Sequence, residues 1–275
     1  MEGFEERTAV VAGARVRGLV GGPPGGERVV LVHGLGGGAL NWALVAPELA
    51  RTRRVLVVEL PGHGRSDPLP EVPSLAPYAE AALGLAESEG LLPADVVGHS
   101  LGGLVAVRAA VLRPEAVRRL VLVSAAGISS TTPRAQRVLA LVGRTQPARR
   151  LSPYWRAIGV HAALRRLAFG RWFAADPLAL RLEAVEAVLS EVRLHTDTLS
   201  ANRALTRDDP RRDLHLVRCP ALVLWGAEDN QLPLEDAFDF ARRLRAPLRV
   251  IAGCGHLPIV ERPDACVDAI ERFLA

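Results

Sequence analysis

Lysine is missing from this chain. All 34 basic residues are arginine, set against 30 Asp and Glu, for a net charge of +4 over 275 residues. Aromatic residues are also scarce, at 4%. The arginines are dispersed, so the clustered basic and aromatic patches of a nucleic-acid-binding surface are absent and no nucleic-acid partner is expected. Cysteine is limited to Cys219, Cys254 and Cys266. An odd number without a CxxC pair suggests neither a disulfide framework nor a zinc site, and no metal is expected. No run of about 18 apolar residues exists, so no membrane span is expected. Residues 1–10 carry Glu2, Glu5 and Glu6 and lack the apolar segment of a signal peptide, which points to a cytoplasmic protein. What remains is ordinary globular usage, 49% hydrophobic and 23% charged, enough for a large core.

Thr8–Val20 alternates weakly and reads as a strand pair at a sheet edge. A short, continuously apolar strand is expected over Arg28–His33, and further strands over Arg54–Leu60, Ala94–His99, Arg119–Ser124, Leu222–Trp225 and Leu248–Ala252. Unbroken apolar runs of this length suit strands buried on both faces of a parallel sheet. Helices are expected over Asn41–Ala50, Ser74–Glu89, Ser100–Leu112 and Arg262–Leu274. Strands alternating with helices give an α/β fold with helices on both faces. Residues 127–210 break the alternation, with amphipathic stretches such as Arg134–Val142 and Leu178–Leu194. They hold 13 Arg against 7 Asp and Glu. The expected organisation is a core of residues 1–126 and 211–275 with a helical insertion at 127–210.

Gly98-His99-Ser100-Leu101-Gly102 matches G-x-S-x-G. It starts at the end of a buried strand and runs straight into a helix, the setting in which a strained turn lifts a serine Oγ clear of the sheet. A serine hydroxyl needs a base. His256, in a glycine loop after the last expected strand, is the candidate. The imidazole needs an orienting carboxylate. Asp229 follows the Leu222–Trp225 strand, with Glu228 as the neighbouring alternative; Asp208 and Asp209 read as solvated, and no carboxylate follows Arg119–Ser124. Charge developing on an acyl oxygen calls for two backbone N–H donors. Leu101, at a helix N-terminus, and Leu35, in the Gly34–Gly38 loop, are the candidates, with His33 tying that loop to the scaffold. The glycine run lacks the G-K-[ST] ending of a phosphate loop. Cys254 reads as a passive buried thiol.

Five segments in order complete the pattern: HGLGGGALNW (33–42), ELPGHGRSDP (59–68), VVGHSLGGLVA (96–106), LVLWGAEDNQLP (222–233) and GCGHLPIVERPD (253–264). With them the chain resembles the α/β-hydrolase superfamily over essentially its full length. The resemblance implies a mostly parallel eight-stranded sheet, a helical lid after the sixth strand and no cofactor. It also implies a small ester-like substrate, cleaved through an acyl intermediate on Ser100. The group it is most similar to holds carboxylesterases, carbon–carbon bond hydrolases, cofactor-free haloperoxidases and enol-lactonases. Alternatives to ester cleavage are hydrolysis of a carbon–carbon bond in an anionic aromatic ring-cleavage product, acyl transfer or perhydrolysis, and non-catalytic binding. Many carbon–carbon hydrolases carry Trp after the catalytic histidine, where this chain has Leu257.

Overall fold

The computed structural model describes residues 1–71, 74–134, 137, 141, 145, 147–190 and 192–275. An eight-stranded sheet runs through it in the order β1-β2-β4-β3-β5-β6-β7-β8. The strands are β1 (Phe4–Val11), β2 (Ala14–Gly21), β3 (Glu27–Val32), β4 (Arg53–Glu59), β5 (Ala94–His99), β6 (Val117–Val123), β7 (Ala221–Gly226) and β8 (Leu248–Ile251). β1 and β2 form the edge hairpin expected from Thr8–Val20, and β2 pairs antiparallel with β4. All other pairings are parallel.

Successive strand residues face opposite sides of the sheet, which is why the apolar runs are unbroken. Val30, Val32, Leu56, Val58, Leu120 and Trp225 pack on one side against α2 (Ala76–Ser88), α3 (Leu101–Leu112) and α9 (Leu234–Leu244). Val29, Leu31, Val55, Val57, Val121 and Leu224 pack on the other against α1 (Ala46–Leu49), α10 (Pro258–Glu261) and α11 (Pro263–Leu274). The helix expected over Asn41–Ala50 is instead a 3₁₀ turn, Ala39–Trp42, followed by the short α1. Pro47 is the cause: it has no N–H to donate to Ala43, and its ring crowds that carbonyl. Helix α9 adds to the expected elements; its buried Ala237 and Phe240 and half-buried Leu234, Ala241 and Leu244 recur at helical spacing.

Between β6 and β7 the described helices are α4 (Pro147–Leu151), α5 (Trp155–Val160), α6 (Ala162–Phe173), α7 (Leu182–Leu189) and α8 (Thr198–Arg207). The stretch Arg134–Val142 lies for the most part outside the described residues. The Leu178–Leu194 stretch is not one helix. Asp176 closes a turn first, its carboxylate accepting from Leu178 N–H at 2.9 Å and its carbonyl from Ala179 N–H at 3.2 Å. Asp208, expected to be solvated, is corrected too. It is half-buried and paired with Arg108 of α3, with both carboxylate oxygens 2.9 Å from Nε.

The order of the sheet decides where chemistry is possible. The chain leaves β3, adds β4 on one side, then returns to place β5 on the other. At such a switch point the loops beyond neighbouring strands diverge and leave a crevice at their C-terminal ends. Val32 pairs with Gly98, so the loop after β3 and the turn after β5 emerge side by side.

Candidate active site

Ser100 occupies the turn between β5 and α3 with φ +53° and ψ −118°, a conformation that L-residues rarely adopt. The flanking glycines make that turn possible. A Cβ on Gly98 would lie 2.1 Å from the Gly102 carbonyl oxygen, and one on Gly102 would lie 2.3 Å from the Val32 carbonyl oxygen. The turn is fastened to the sheet by Ser100 N–H donating to the Val123 carbonyl at 3.0 Å.

The three side chains read from the sequence lie in one hydrogen-bonded line. Ser100 Oγ is 3.0 Å from His256 Nε2, and His256 Nδ1 is 2.9 Å from Asp229 Oδ2. The carboxylate at Nδ1 fixes the proton there, leaving Nε2 as the acceptor for the serine hydroxyl. Asp229 Oδ1 accepts from the N–H groups of Gln231 and Leu232, each at 2.9 Å. Burial works to raise the Asp229 pKa. The His256 charge, the hydrogen bond to that ring and the two backbone N–H groups outweigh burial and hold it below the usual carboxylate value.

Glu228 is used differently. Its carboxylate accepts from Gly253 N–H at 3.2 Å and Cys254 N–H at 2.8 Å, which braces the loop carrying His256. Glu261 braces the other side of that loop. It accepts from Gly255 N–H at 3.0 Å, Leu257 N–H at 3.1 Å and, from the segment between β6 and β7, Ala175 N–H at 2.8 Å. The same segment also accepts from His256 N–H, through the Phe173 carbonyl at 3.0 Å. Glu261 was not singled out from the sequence; its one signal is a carboxylate just past the GCGHLP loop. An amide there offers a single acceptor oxygen to three buried donors. Glu261→Gln is therefore expected to lower stability by about 1–3 kcal/mol. Urea unfolding with an unchanged m-value checks this, and a loss below about 0.5 kcal/mol would remove the bracing role.

His99 also supports the loop of His256. Its Nε2 donates to the His256 carbonyl at 2.8 Å, and burial pulls its pKa down to about 3, so the ring stays neutral. Cys254 is buried, and burial pushes its thiol pKa well up, the opposite of a reactive cysteine.

The N–H groups of Leu35 and Leu101 have no hydrogen-bond partner among the described residues. Leu101 is the first residue of α3, where the helix leaves its N–H free. The Leu35 loop lies against the serine turn: a Cβ on Gly34 would come within 3.1 Å of Ser100 Cβ. His33 ties this loop down, with Nδ1 donating to the Gly34 carbonyl at 2.8 Å and Nε2 accepting from Leu60 N–H at 3.0 Å. A cavity of about 380 Å³ opens beside the loop. Its wall includes Leu35, His99 and Leu257 from the sheet side and Leu167, Phe169 and Phe173 from α6, with Arg149, His195 and Asn202 among its polar groups. Among the described residues, no group of His, Cys, Asp and Glu has the arrangement of a metal site, and no helix is long and apolar enough to cross a membrane.

Comparison with known proteins agrees with this architecture. The chain is 34% identical over 269 residues to a pimeloyl-[acyl-carrier protein] methyl ester esterase of Aromatoleum aromaticum, covering 88% of this chain and 96% of that protein. It is 31% identical over 274 residues to a 2-hydroxymuconate semialdehyde hydrolase of Pseudomonas sp. strain CF600, covering 91% and 87%. A thermophilic esterase from Thermogutta terrifontis shares the fold with a TM-score of 0.78 at 24% identity, covering 98% of each chain. A model of the alpha/beta hydrolase family matches residues 29–269, and the chain belongs to that family.

Proposed function

We propose that this hydrolase cleaves carboxylic esters through an acyl intermediate on Ser100, with His256 as base, Asp229 as orienting acid and the Leu35 and Leu101 N–H groups as the oxyanion hole. The observation that carries the reading is the line Asp229–His256–Ser100, joined by contacts of 2.9 and 3.0 Å beside two unpartnered backbone donors. Residues 127–210 act as a lid over the core of residues 1–126 and 211–275. Support for that division comes from the cavity wall, which is drawn from both.

In the first half-reaction Ser100 Oγ bonds to the ester carbonyl carbon while its proton moves to His256 Nε2. The carbonyl oxygen takes up negative charge and sits against the two N–H donors. Collapse breaks the bond to the alkoxy oxygen, which leaves as the alcohol with the proton from His256. In the second half a water gives a proton to His256 as its oxygen bonds to the acyl carbon; the bond from that carbon to Ser100 Oγ then breaks, Oγ takes the proton back from His256, and the carboxylic acid is released. Asp229 remains ionised and stabilises the imidazolium that forms twice in the cycle. The test is a fluorophosphonate probe followed by aryl esters of graded acyl length. Labelling of Ser100 with turnover of at least one ester supports the reading, and an unlabelled Ser100 would sink it.

Arg149 favours a second reading of the substrate. It lines the cavity together with apolar side chains such as Leu167, Phe169 and Leu257, and has no ion-pair partner among the described residues. A relative of 31% identity is named as a 2-hydroxymuconate semialdehyde hydrolase, whose substrate class is anionic. On this reading the ligand carries a carboxylate distal to the bond that breaks, whether that bond is to oxygen or to carbon. Arg149→Gln is then expected to lower kcat/KM for a half-ester of a dicarboxylic acid by about tenfold and leave the matching neutral ester unchanged, as for loss of one charge-assisted hydrogen bond. Equal effects on both esters would exclude a charge role.

A further inference from the structure

The Gly34–Gly38 loop is a tight turn. Gly37 N–H donates to the Gly34 carbonyl at 3.0 Å, and Gly36 sits at φ +69°. Two imidazoles hydrogen-bond to carbonyls of this turn. One is His33, already described. The other is His195, between α7 and α8, whose Nε2 is 2.8 Å from the Gly36 carbonyl and whose Nδ1 accepts from Gly64 N–H at 2.9 Å. In each ring one nitrogen faces an N–H and the other faces a carbonyl. That pattern requires a neutral ring with a single proton, on the nitrogen facing the carbonyl. Burial is the main cause holding the His195 pKa below its usual value. Nearby Arg149 adds to it, while the Gly36 hydrogen bond and Glu59 oppose it.

A trans peptide points its C=O and N–H in opposite directions. The Gly36–Gly37 peptide therefore accepts from His195 at one end and donates to the Gly34 carbonyl at the other. The Gly34–Leu35 peptide accepts at its own carbonyl and turns the Leu35 N–H the other way, where it meets no partner. The result is a line of aligned dipoles that starts at His195 and ends at Leu35. Hydrogen bonds in such a line polarise one another.

We infer that His195 is a positioning residue for acyl transfer: its Nε2–H, through the Gly36 and Gly34 peptides, fixes and polarises the Leu35 N–H as an oxyanion donor. The inference rests on the serine-hydrolase reading and deepens it. It also gives a role to the loop after β4. Gly62 accepts from the N–H groups of Thr196 at 2.9 Å and Asp197 at 3.0 Å, beside the Gly64 bond to the His195 ring. Gly62 has φ +76°, and a Cβ there would lie 2.3 Å from the Asp197 carbonyl oxygen. The Pro61-Gly62-His63-Gly64 stretch is the seat that holds His195 over the glycine loop.

Two substitutions separate the relay from the seat. In His195→Asn the amide oxygen stands near Nδ1 and keeps an acceptor for Gly64, but no donor reaches Gly36. In His195→Gln the longer amide brings an N–H to the Nε2 position. Removing an oxyanion donor outright slows such enzymes by about 10²–10³, so misaligning one in H195N is expected to lower kcat by about 10–30-fold. KM should stay within about threefold, since the interaction strengthens only in the transition state. The inhibition constant of phenylboronic acid, whose tetrahedral adduct on Ser100 puts an oxygen in the same place, should rise by the same factor as kcat falls. H195Q should keep both parameters within about threefold of wild type. If H195N does not fold, Gly62→Ala serves, because its methyl loosens the seat without touching the turn; a parallel loss in kcat and boronate affinity again supports the relay. The inference is overturned if H195N and H195Q behave alike, or if kcat and boronate affinity stay at wild-type values. Labelling of wild-type Ser100 by a fluorophosphonate is measured first. No labelling overturns the hydrolase reading itself, whereas labelled, active protein with silent His195 variants overturns only this inference.

Discussion

Replacing Ser100 by alanine is expected to lower kcat by about 10⁶ while leaving the fold intact. The size follows from what the side chain supplies. With Oγ gone there is no acyl intermediate, and His256 faces a substrate with nothing to deprotonate except water held at the wrong distance. The residual rate is that of binding and of the two N–H donors alone, about 10³–10⁴ above the uncatalysed reaction. The backbone at Ser100 is strained, with φ +53°. Alanine inherits that strain without adding to it, so the thermal midpoint should move little. Steady-state kinetics with protein purified away from contaminating esterase, together with loss of fluorophosphonate labelling, measures this. A fall of only tenfold would make the turn at Ser100 structural and the hydrolase reading wrong.

Asp229→Asn is the second large effect, expected to lower kcat by about 10⁴ with KM changed far less. The geometry explains why a substitution of one atom matters. Asp229 Oδ2 accepts from His256 Nδ1, while Oδ1 accepts from Gln231 and Leu232 N–H. Asparagine has one acceptor oxygen. If that oxygen keeps the two backbone bonds, its amide group faces Nδ1 and holds the ring with its proton on Nε2, pointing at Ser100. The base is then occupied when it is needed. The depressed pKa of Asp229 gives a second handle. A carboxylate whose folded pKa lies below its unfolded value stabilises the fold above the unfolded pKa, and that contribution is lost as pH falls through the folded pKa. The wild type should therefore lose stability on acidification in a window below the usual aspartate range, and D229N should lack that component. Urea unfolding as a function of pH measures the difference. Identical acid profiles for the two proteins would contradict the linkage.

The sheet and the Ser100, His256, Asp229 line were legible because each feature is carried by local sequence. Strands buried on both faces are apolar almost throughout, and Ser100 and Asp229 each follow such a strand at its C-terminal end, while His256 follows the partly exposed edge strand β8. Leu35 and Leu101 were readable only by position, since a backbone N–H has no residue signature. What escaped the sequence depends on contacts between distant segments. Asp208 reads as a solvated loop acid until Arg108, 100 residues away, is seen against it. Glu261 reads as a helix-end carboxylate until three N–H groups converge on it. His195 lies 159 residues from the carbonyl it holds. The Asn41–Ala50 helix was over-read for a local reason, the proline at position 47.

The segment between β6 and β7 is fastened at points that coincide with the reactive loops. Phe173 and Ala175 hold the loop of His256, and His195, Thr196 and Asp197 hold the glycine loop and the turn after β4. Of the residues that line the cavity, Leu167, Phe169 and Val188 lie before or between those points, whereas Phe173, His195 and Thr196 belong to both wall and anchor. Part of the wall can therefore be exchanged without touching an anchor. A chimera that exchanges wall residues while keeping 173–175 and 195–197 should change which ester is taken without retuning the chemistry. One that cuts across either anchor should lose rate on every ester alike.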